Sequence, residues 1–242
     1  MLSIFAIQGD DGSFALTMPG YTALVFLMIA LLLAGSFLFG KFLGKQTRMQ
    51  AKQLAFSAMA VALAMAASMI KIWKMPMGGS VTLLSMLFIV LVGHWWGLSA
   101  GLTAALAYGV LQLIVDPYIL SLPQMLVDYL FAFGALGLSG LFTQNELRIG
   151  KLRFPGLVAG YMVAVFGRFV FAVLSGVIFF GAYTPEEFAS PLLYSIVYNG
   201  SYLLAESALT IVVVCMPPVR RALGIVRNMA VDEPAEAMMP KA

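Results

Sequence analysis

The sequence predicts an all-α integral membrane protein that crosses the bilayer as a bundle of about seven helices. The first observation is composition: 62% of the residues are hydrophobic and 10% are charged, whereas a soluble domain has about 25% charged residues. The second is length, because helices of about 20 residues joined by short loops account for nearly the whole chain. The third is the distribution of the basic residues, which gather in segments on one side of the predicted bundle.

The apolar runs of the sequence define the helices in order. The first run follows Asp10 and Asp11 and lacks the basic start of a cleaved signal peptide, so we expect a membrane-spanning helix there. The third run is short for a full span, and we expect it to be tilted or joined to its neighbour through a turn at 93–96. The tail at 229–242 has the composition of a disordered segment. The helices are predicted near residues 18–40, 53–70, 81–93, 96–115, 124–143, 155–181 and 191–216.

The basic residues predict the orientation of this bundle. With the N-terminus outside, eleven of the fourteen lysines and arginines fall in the 41–52 linker, the 144–153 loop and the tail. Cytoplasmic segments of membrane proteins carry such an excess. The sequence therefore predicts an N-out, C-in protein.

Small residues recur at every fourth position of the second helix, at Ala58, Ala62 and Ala66. Such a stripe lets helix backbones approach closely. Two explanations remain open at this point: packing inside the bundle, or docking to a second membrane protein.

Three charged residues lie within the predicted membrane spans, namely Asp128, Arg168 and Glu206. Buried charges in a bilayer are costly and mark functional or paired groups. Counting about 1.5 Å per helical residue places Arg168 and Glu206 at a similar depth. We expect them to form a structural ion pair, with a role in conformational switching as the alternative.

Asp128 is accompanied by aromatic and small residues at the outer ends of the helices. A belt of aromatic residues at the membrane interface is one explanation. A carboxylate among aromatic faces also suits an organic cation, because the rings and the carboxylate both attract positive charge. The residues in this region are Tyr118, Tyr129, Gly176, Phe180, Tyr183, Tyr194 and Asn199.

The sequence argues against an enzyme and against a bound metal or cofactor. Cys215 is the single cysteine and His94 the single histidine, so cysteine clusters and HExxH sites are excluded. The chain also lacks a phosphate-binding loop, so any dependence on ATP must come from partner proteins. The formal charge of +3 gives no reason to expect nucleic-acid binding.

Several segments resemble the thiamine-specific substrate-binding subunit, or S component, of energy-coupling factor (ECF) transporters. The resemblance covers about residues 52–216. It includes the Asp128–Tyr129 pair that follows Tyr118 and the spacing of Tyr194 and Asn199. The segments are KMPMGGSVTLLSM (74–86), SLPQMLVDYLFAFGALGLSGLF (121–142), LSGVIFFGAYTP (174–185) and YSIVYNGSYLLAE (194–206).

This resemblance implies a six-helix vitamin-binding bundle at 52–218, open to the outside of a prokaryotic plasma membrane. Residues 1–51 would then be an additional N-terminal transmembrane helix with a basic linker, and 219–242 a disordered cytoplasmic tail. The family docks through small-residue stripes to a membrane scaffold subunit, which couples it to two cytoplasmic ATPases. The alanine stripe matches that docking helix.

The resemblance also implies a binding site and a function. Asp128 would counter the thiazolium or bond the aminopyrimidine, and Asn199 would bond the pyrimidine. Asp128 replaces a glutamate, Phe180 a tryptophan and Ala172 a histidine of the family pattern. The expected function is high-affinity thiamine capture for ATP-driven uptake, with the precursor hydroxymethylpyrimidine or another vitamin as the alternative. The expected substrate-binding residues are Trp73, Tyr118, Asp128, Tyr129, Gly176, Phe180, Tyr194 and Asn199.

Overall fold

The computed structural model describes residues 4, 6–8, 14–20, 22–23, 51–143, 147–149 and 152–231. A short antiparallel hairpin near the N-terminus pairs β1 (Ala6–Gln8) with β2 (Phe14–Leu16). Residues 18–20 and 22–23 are helical. The rest of the predicted helix at 18–40 lies outside the described residues, as do 24–50 and 232–242.

Six helices follow and confirm the prediction of a helical membrane protein. Five of them are long and apolar enough to cross a membrane, and the second is a shorter apolar helix of 12 residues. Their positions agree with the last six apolar runs of the sequence to within a few residues. The helices are α1 (Ala51–Met69), α2 (Ser85–Trp96), α3 (Leu98–Val115), α4 (Leu122–Phe142), α5 (Gly156–Phe179) and α6 (Pro191–Cys215).

Two further hairpins connect the helices. Strands β3 (Lys71–Lys74) and β4 (Ser80–Thr82) pair between α1 and α2. Strands β5 (Leu147–Ile149) and β6 (Leu152–Phe154) pair between α4 and α5. The turn expected at 93–96 is wrong in position, because α2 continues to Trp96. The chain turns at Gly97 instead. Glycine can adopt its φ of +90° at little cost in conformational energy.

Glycines let α2, α3 and α4 cross with their backbones nearly touching. A Cβ added to Gly101 would lie 2.7 Å from the Cα of Gly93 and 2.8 Å from the carbonyl oxygen of Gly137. Real Cβ atoms essentially never come this close, so any larger residue would force these helices apart. The adjoining core is filled by large buried side chains that include Met86, Tyr108 and Tyr161.

The alanines of α1 divide between two faces. Ala60 and Ala64 are buried against the bundle. Ala58, Ala62 and Ala66 are exposed. Internal packing therefore does not account for the stripe identified in the sequence, and these three residues form an outward face.

A seventh helix, α7 (Pro217–Val231), begins directly after α6. The expectation of disorder over the whole tail is therefore wrong for residues up to 231. Proline is favoured at the start of a helix, and Leu223 and Ala230 lie on one side of α7, so the bundle stabilises it. It packs against α6, α1 and α2.

Candidate functional site

A cavity of about 160 Å³ is lined by one end of the helix bundle and by the loops 70–84 and 116–121 that cover it. On the same scale one water needs only about 10–15 Å³, so the space suits a small organic molecule. The structure brings seven of the eight predicted binding residues to its lining. They are Tyr118, Asp128, Tyr129, Gly176, Phe180, Tyr194 and Asn199.

Trp73 is the predicted binding residue that the structure leaves out of this lining. It lies on β3 and is 55% exposed. Lys71, two residues earlier, does line the cavity. Strand alternation alone would place Trp73 on the same side, but the pairing register shifts between Lys71 and Trp73.

Asp128 lies in a π-helical stretch of α4, Leu126–Phe131. Such widened turns are frequent at functional sites. Its Oδ2 accepts a hydrogen bond of 2.6 Å from Nε2 of Gln124. The buried hydroxyl of Ser175 lies beside the same carboxylate, although it makes no hydrogen bond of ordinary geometry. The carboxylate lines the cavity, so a ligand there can contact it.

Gln124 holds Asp128 and the adjoining loop in place. Its side chain is 1% exposed. Besides Asp128, its Nε2 donates to the carbonyl of Tyr118 at 3.1 Å, and its Oε1 accepts from the amide of Leu120 at 3.0 Å. Both side-chain donor hydrogens and an acceptor are thus used within the protein. Gln124 was not among the predicted binding residues, although its position one helical turn before Asp128 was a usable signal.

Tyr129 organises the same loop. Its hydroxyl accepts from the amide of Tyr118 at 2.8 Å and donates to the carbonyl of Asp116 at 3.1 Å. The side chain is 8% exposed. Tyr129 therefore fixes the position of Tyr118 as well as lining the cavity.

An aromatic pair forms one wall at the mouth of the cavity. The rings of Tyr118 and Phe180 are stacked, with centroids 5.9 Å apart and an angle of 24° between their planes. Tyr183 packs beside Phe180 at 6.4 Å. The negative faces of such rings attract cations.

Three tyrosines spaced four residues apart line one face of α6. Tyr198 contacts Tyr194 at 5.8 Å and Tyr202 at 6.0 Å between ring centroids. The Tyr198 hydroxyl accepts from the amide of Gly79 at 3.0 Å and donates to the carbonyl of Pro76. Tyr198 thus ties the loop after α1 to α6. Tyr198 and Tyr202 were not predicted, although their spacing from Tyr194 places all three on one helix face.

Gly176 and Asn199 form the contact between α5 and α6. A Cβ on Gly176 would collide with the hydroxyl of Ser195. The Asn199 amide donates to the carbonyl of Ser195 at 3.0 Å and to that of Ala172 at 3.3 Å, while its oxygen accepts from the hydroxyl of Tyr202 at 3.0 Å. Gly176 is needed for close helix packing, and the Asn199 donors are already occupied.

The expected ion pair between Arg168 and Glu206 is wrong. The guanidinium carbon of Arg168 lies 4.1 Å from the centroid of the Phe133 ring. The one ion pair among the residues described joins Lys71 to Asp116 at the rim of the cavity. Similar depth along two helices did not bring the charges together, because Glu206 has other partners.

Glu206 instead caps α2. Its carboxylate accepts from the amide and hydroxyl of Thr82 at 2.9 and 2.8 Å, from the Ser85 hydroxyl at 3.2 Å and from the Met86 amide at 3.4 Å. Helix α2 has no side-chain cap of its own, since Leu84 precedes it. A carboxylate is stabilised at this position by the unpaired amides and the helix dipole.

The lining combines aromatic faces with charged groups. It has three carboxylates, Asp116, Asp128 and Glu206, and two cations, Lys71 and Arg168. Asp116 is paired with Lys71, and Glu206 is engaged by α2. Asp128 has neither an ion-pair partner nor a helix cap among the described residues, and it is thus the acid best placed to meet a ligand. Over the described residues, no group of histidine, cysteine or acidic side chains could hold a metal ion. The arrangement is suited to binding a small organic cation.

The chain is similar to a family of bacterial transport proteins. The family described as Thiamine transporter protein (Thia_YuaJ) matches residues 54–224. The thiamine transporter ThiT of Bacillus subtilis (strain 168) is 34% identical over 150 residues, which cover 59% of this chain and 77% of that protein. The thiamine transporter ThiT of Lacticaseibacillus paracasei is 32% identical over 127 residues, covering 49% of this chain and 63% of that protein.

A solved structure of ThiT from Listeria monocytogenes has the same fold. It superposes with a TM-score of 0.59 at 21% identity, covering 73% of this chain and 96% of the other. The relatives are named as transporters and come from bacteria, in agreement with a multi-pass membrane protein. Because the family match spans most of the chain, including every residue of the cavity, this protein belongs to the Thiamine transporter protein (Thia_YuaJ) family.

Proposed function

We propose that this protein is a thiamine-binding S component that captures the vitamin outside the cell for ATP-driven uptake by an ECF module. The observation that carries the proposal is the carboxylate of Asp128, which is bonded to Gln124 and lines a cavity walled by aromatic rings. Thiamine has a cationic thiazolium and an aminopyrimidine, and both can be recognised by such a group. The names of the bacterial relatives support this choice of ligand.

The carboxylate and the aromatic rings of the cavity would contact different parts of the ligand. Asp128 would offset the thiazolium charge or accept a hydrogen bond from the aminopyrimidine. The stacked rings of Tyr118 and Phe180 would cover a flat face of the ligand. Tyr194 would contact the ligand from α6, because the donors of Asn199 are already used within the protein.

Coupling to ATP hydrolysis would take place through partners. The exposed face formed by Ala58, Ala62 and Ala66 suits close contact with a helix of a membrane scaffold subunit. That scaffold would connect the protein to two cytoplasmic ATPases. With N-out orientation, the cavity opens to the outside of the plasma membrane, where the vitamin is captured.

Calorimetric titration of the purified full chain in detergent tests the ligand. Calorimetry is preferable to tryptophan fluorescence, because Trp95 and Trp96 lie at the opposite end of α2 and Trp73 is outside the cavity lining. Saturable binding of thiamine, but not of riboflavin, supports the proposal. Absence of binding for thiamine would contradict it.

Hydroxymethylpyrimidine is the alternative ligand, and Ala172 is the observation that favours it. Ala172 lines the cavity with a methyl group and offers no polar side-chain contact. A ligand smaller than thiamine would need fewer such contacts. Tight binding of the isolated pyrimidine together with weak binding of thiamine would establish this alternative.

A further inference from the structure

A second cavity lies at the end of the bundle opposite the first. Its volume is about 190 Å³, and it is enclosed by the ends of α2 and α6, the start of α5 and the helix α7. Its basic side chains are His94, Arg220 and Arg227. The remaining wall is apolar and consists mainly of Leu91, Leu157, Val158, Val214 and Leu223.

The positive groups of this cavity lack acidic partners among the residues described. The ion pair of Lys71 and Asp116 lies at the other end of the molecule, and no carboxylate lines the second cavity. Arg227 lies near His94, whose Nδ1 is bonded to the carbonyl of Phe142 at 2.8 Å. The two guanidinium groups thus place positive charge beside an apolar recess, an arrangement that favours an anion there.

The placement of α7 adds an independent observation. One side of the helix packs on the bundle through Leu223 and Ala230. Ile225 and Met229 are 58% and 61% exposed, on the side of the helix that faces away from these two residues. A helix with basic residues, an exposed apolar side and a position directly after a membrane span is typical of one lying in the membrane interface.

We propose that this cavity binds an anionic phospholipid. Arg220 and Arg227 would hold the phosphate, since the guanidinium group forms paired hydrogen bonds with phosphate oxygens. An acyl chain would lie along the leucines and valines of the wall. Basic pockets between transmembrane helices on the cytoplasmic side of a membrane bind anionic head groups in this way. The lipid would fasten α7 to the bundle, and this site does not depend on the proposed function.

Native mass spectrometry of the detergent-purified full chain tests the proposal. The protein is titrated with dioleoyl phosphatidylglycerol, with phosphatidylcholine of the same chains and with inorganic phosphate. We expect retention of one phosphatidylglycerol with at least fivefold preference over phosphatidylcholine. Each arginine near an anionic lipid contributes about fivefold in affinity, so R220Q and R227Q should each weaken binding by about that factor.

Arg221 provides the matched control, because it lies on the same helix but does not line the cavity. R221Q should leave phosphatidylglycerol binding within about twofold of the unmodified protein. An equal loss in R221Q and R220Q would show diffuse surface attraction and overturn the site. Saturable binding of inorganic phosphate without any preference for phosphatidylglycerol would overturn the lipid assignment. Thermal unfolding of each variant confirms that it is folded.

Discussion

Replacement of Asp128 by Asn separates the charge of the binding cavity from its shape. The two side chains are nearly isosteric, and the Asn oxygen can still accept the hydrogen bond from Gln124. Gln124 is itself fixed by Tyr118 and Leu120, so the loop should keep its conformation. The variant therefore removes a negative charge and little else.

The expected loss of thiamine affinity follows from the type of contact. Hydrogen bonds to charged groups contribute about 1.5–3 kcal/mol, which corresponds to roughly 10- to 150-fold in affinity. Asp116 at the rim gives the comparison, because it is paired with Lys71 and its side chain is 55% exposed. Exposed pairs contribute up to about 1 kcal/mol, so D116N should weaken binding by less than about fivefold.

Calorimetric titration of both variants with thiamine and with hydroxymethylpyrimidine measures these effects. If Asp128 pairs with the thiazolium, D128N lowers the affinity for thiamine at least tenfold and leaves the affinity for the neutral pyrimidine nearly unchanged. If Asp128 bonds the aminopyrimidine, the affinities for both ligands fall together. Thiamine affinity of D128N within about fivefold of the unmodified protein would refute the role of Asp128.

Three further predictions concern stability and coupling. E206Q should lower the melting temperature of the protein in detergent by several degrees, because Glu206 accepts four hydrogen bonds at the start of α2. The control E187Q, in an exposed loop, should leave the melting temperature unchanged. Equal melting temperatures for the two variants would contradict the capping role. A62L should abolish uptake in cells while leaving calorimetric thiamine affinity unchanged, and normal uptake would exclude this face from docking. G176A should destabilise the protein through its collision with Ser195, and adding S195A should restore part of the loss in melting temperature; no restoration would show that the contact is unimportant.

The helices were predictable because their apolar length is a direct requirement of the bilayer. Helix α7 was not, since it satisfies a different requirement. Its balance of arginines and apolar residues resembles a polar tail, and only the spacing of Leu223 and Ala230 indicates a side that packs on the bundle. The hairpin of β3 and β4 was also missed, because strands of three or four residues carry little periodic signal.

The end of the bundle at which the candidate site lies was predictable from the sequence. The hydrogen bonds and ion pairs within the site were mostly not. Topology places Tyr118, Asp128 and Phe180 at one end of the protein whatever their side-chain geometry. Depth along a helix is a single coordinate, however, so it could not show that Glu206 meets the start of α2 instead of Arg168. Which partners a polar side chain selects depends on three-dimensional packing that sequence spacing does not contain.

The short α2 determines where a ligand can reach. Its 12 residues span about 18 Å, whereas the hydrocarbon core of a membrane is about 30 Å thick. The part of the span that α2 does not cover is taken by the β3–β4 hairpin and by the cavity, whose lining includes Thr82, Ser85 and Glu206. A molecule bound there would be surrounded by protein side chains within the bundle. Extending α2 by two turns would occupy the same volume, so the length of this helix fixes the depth of the binding chamber.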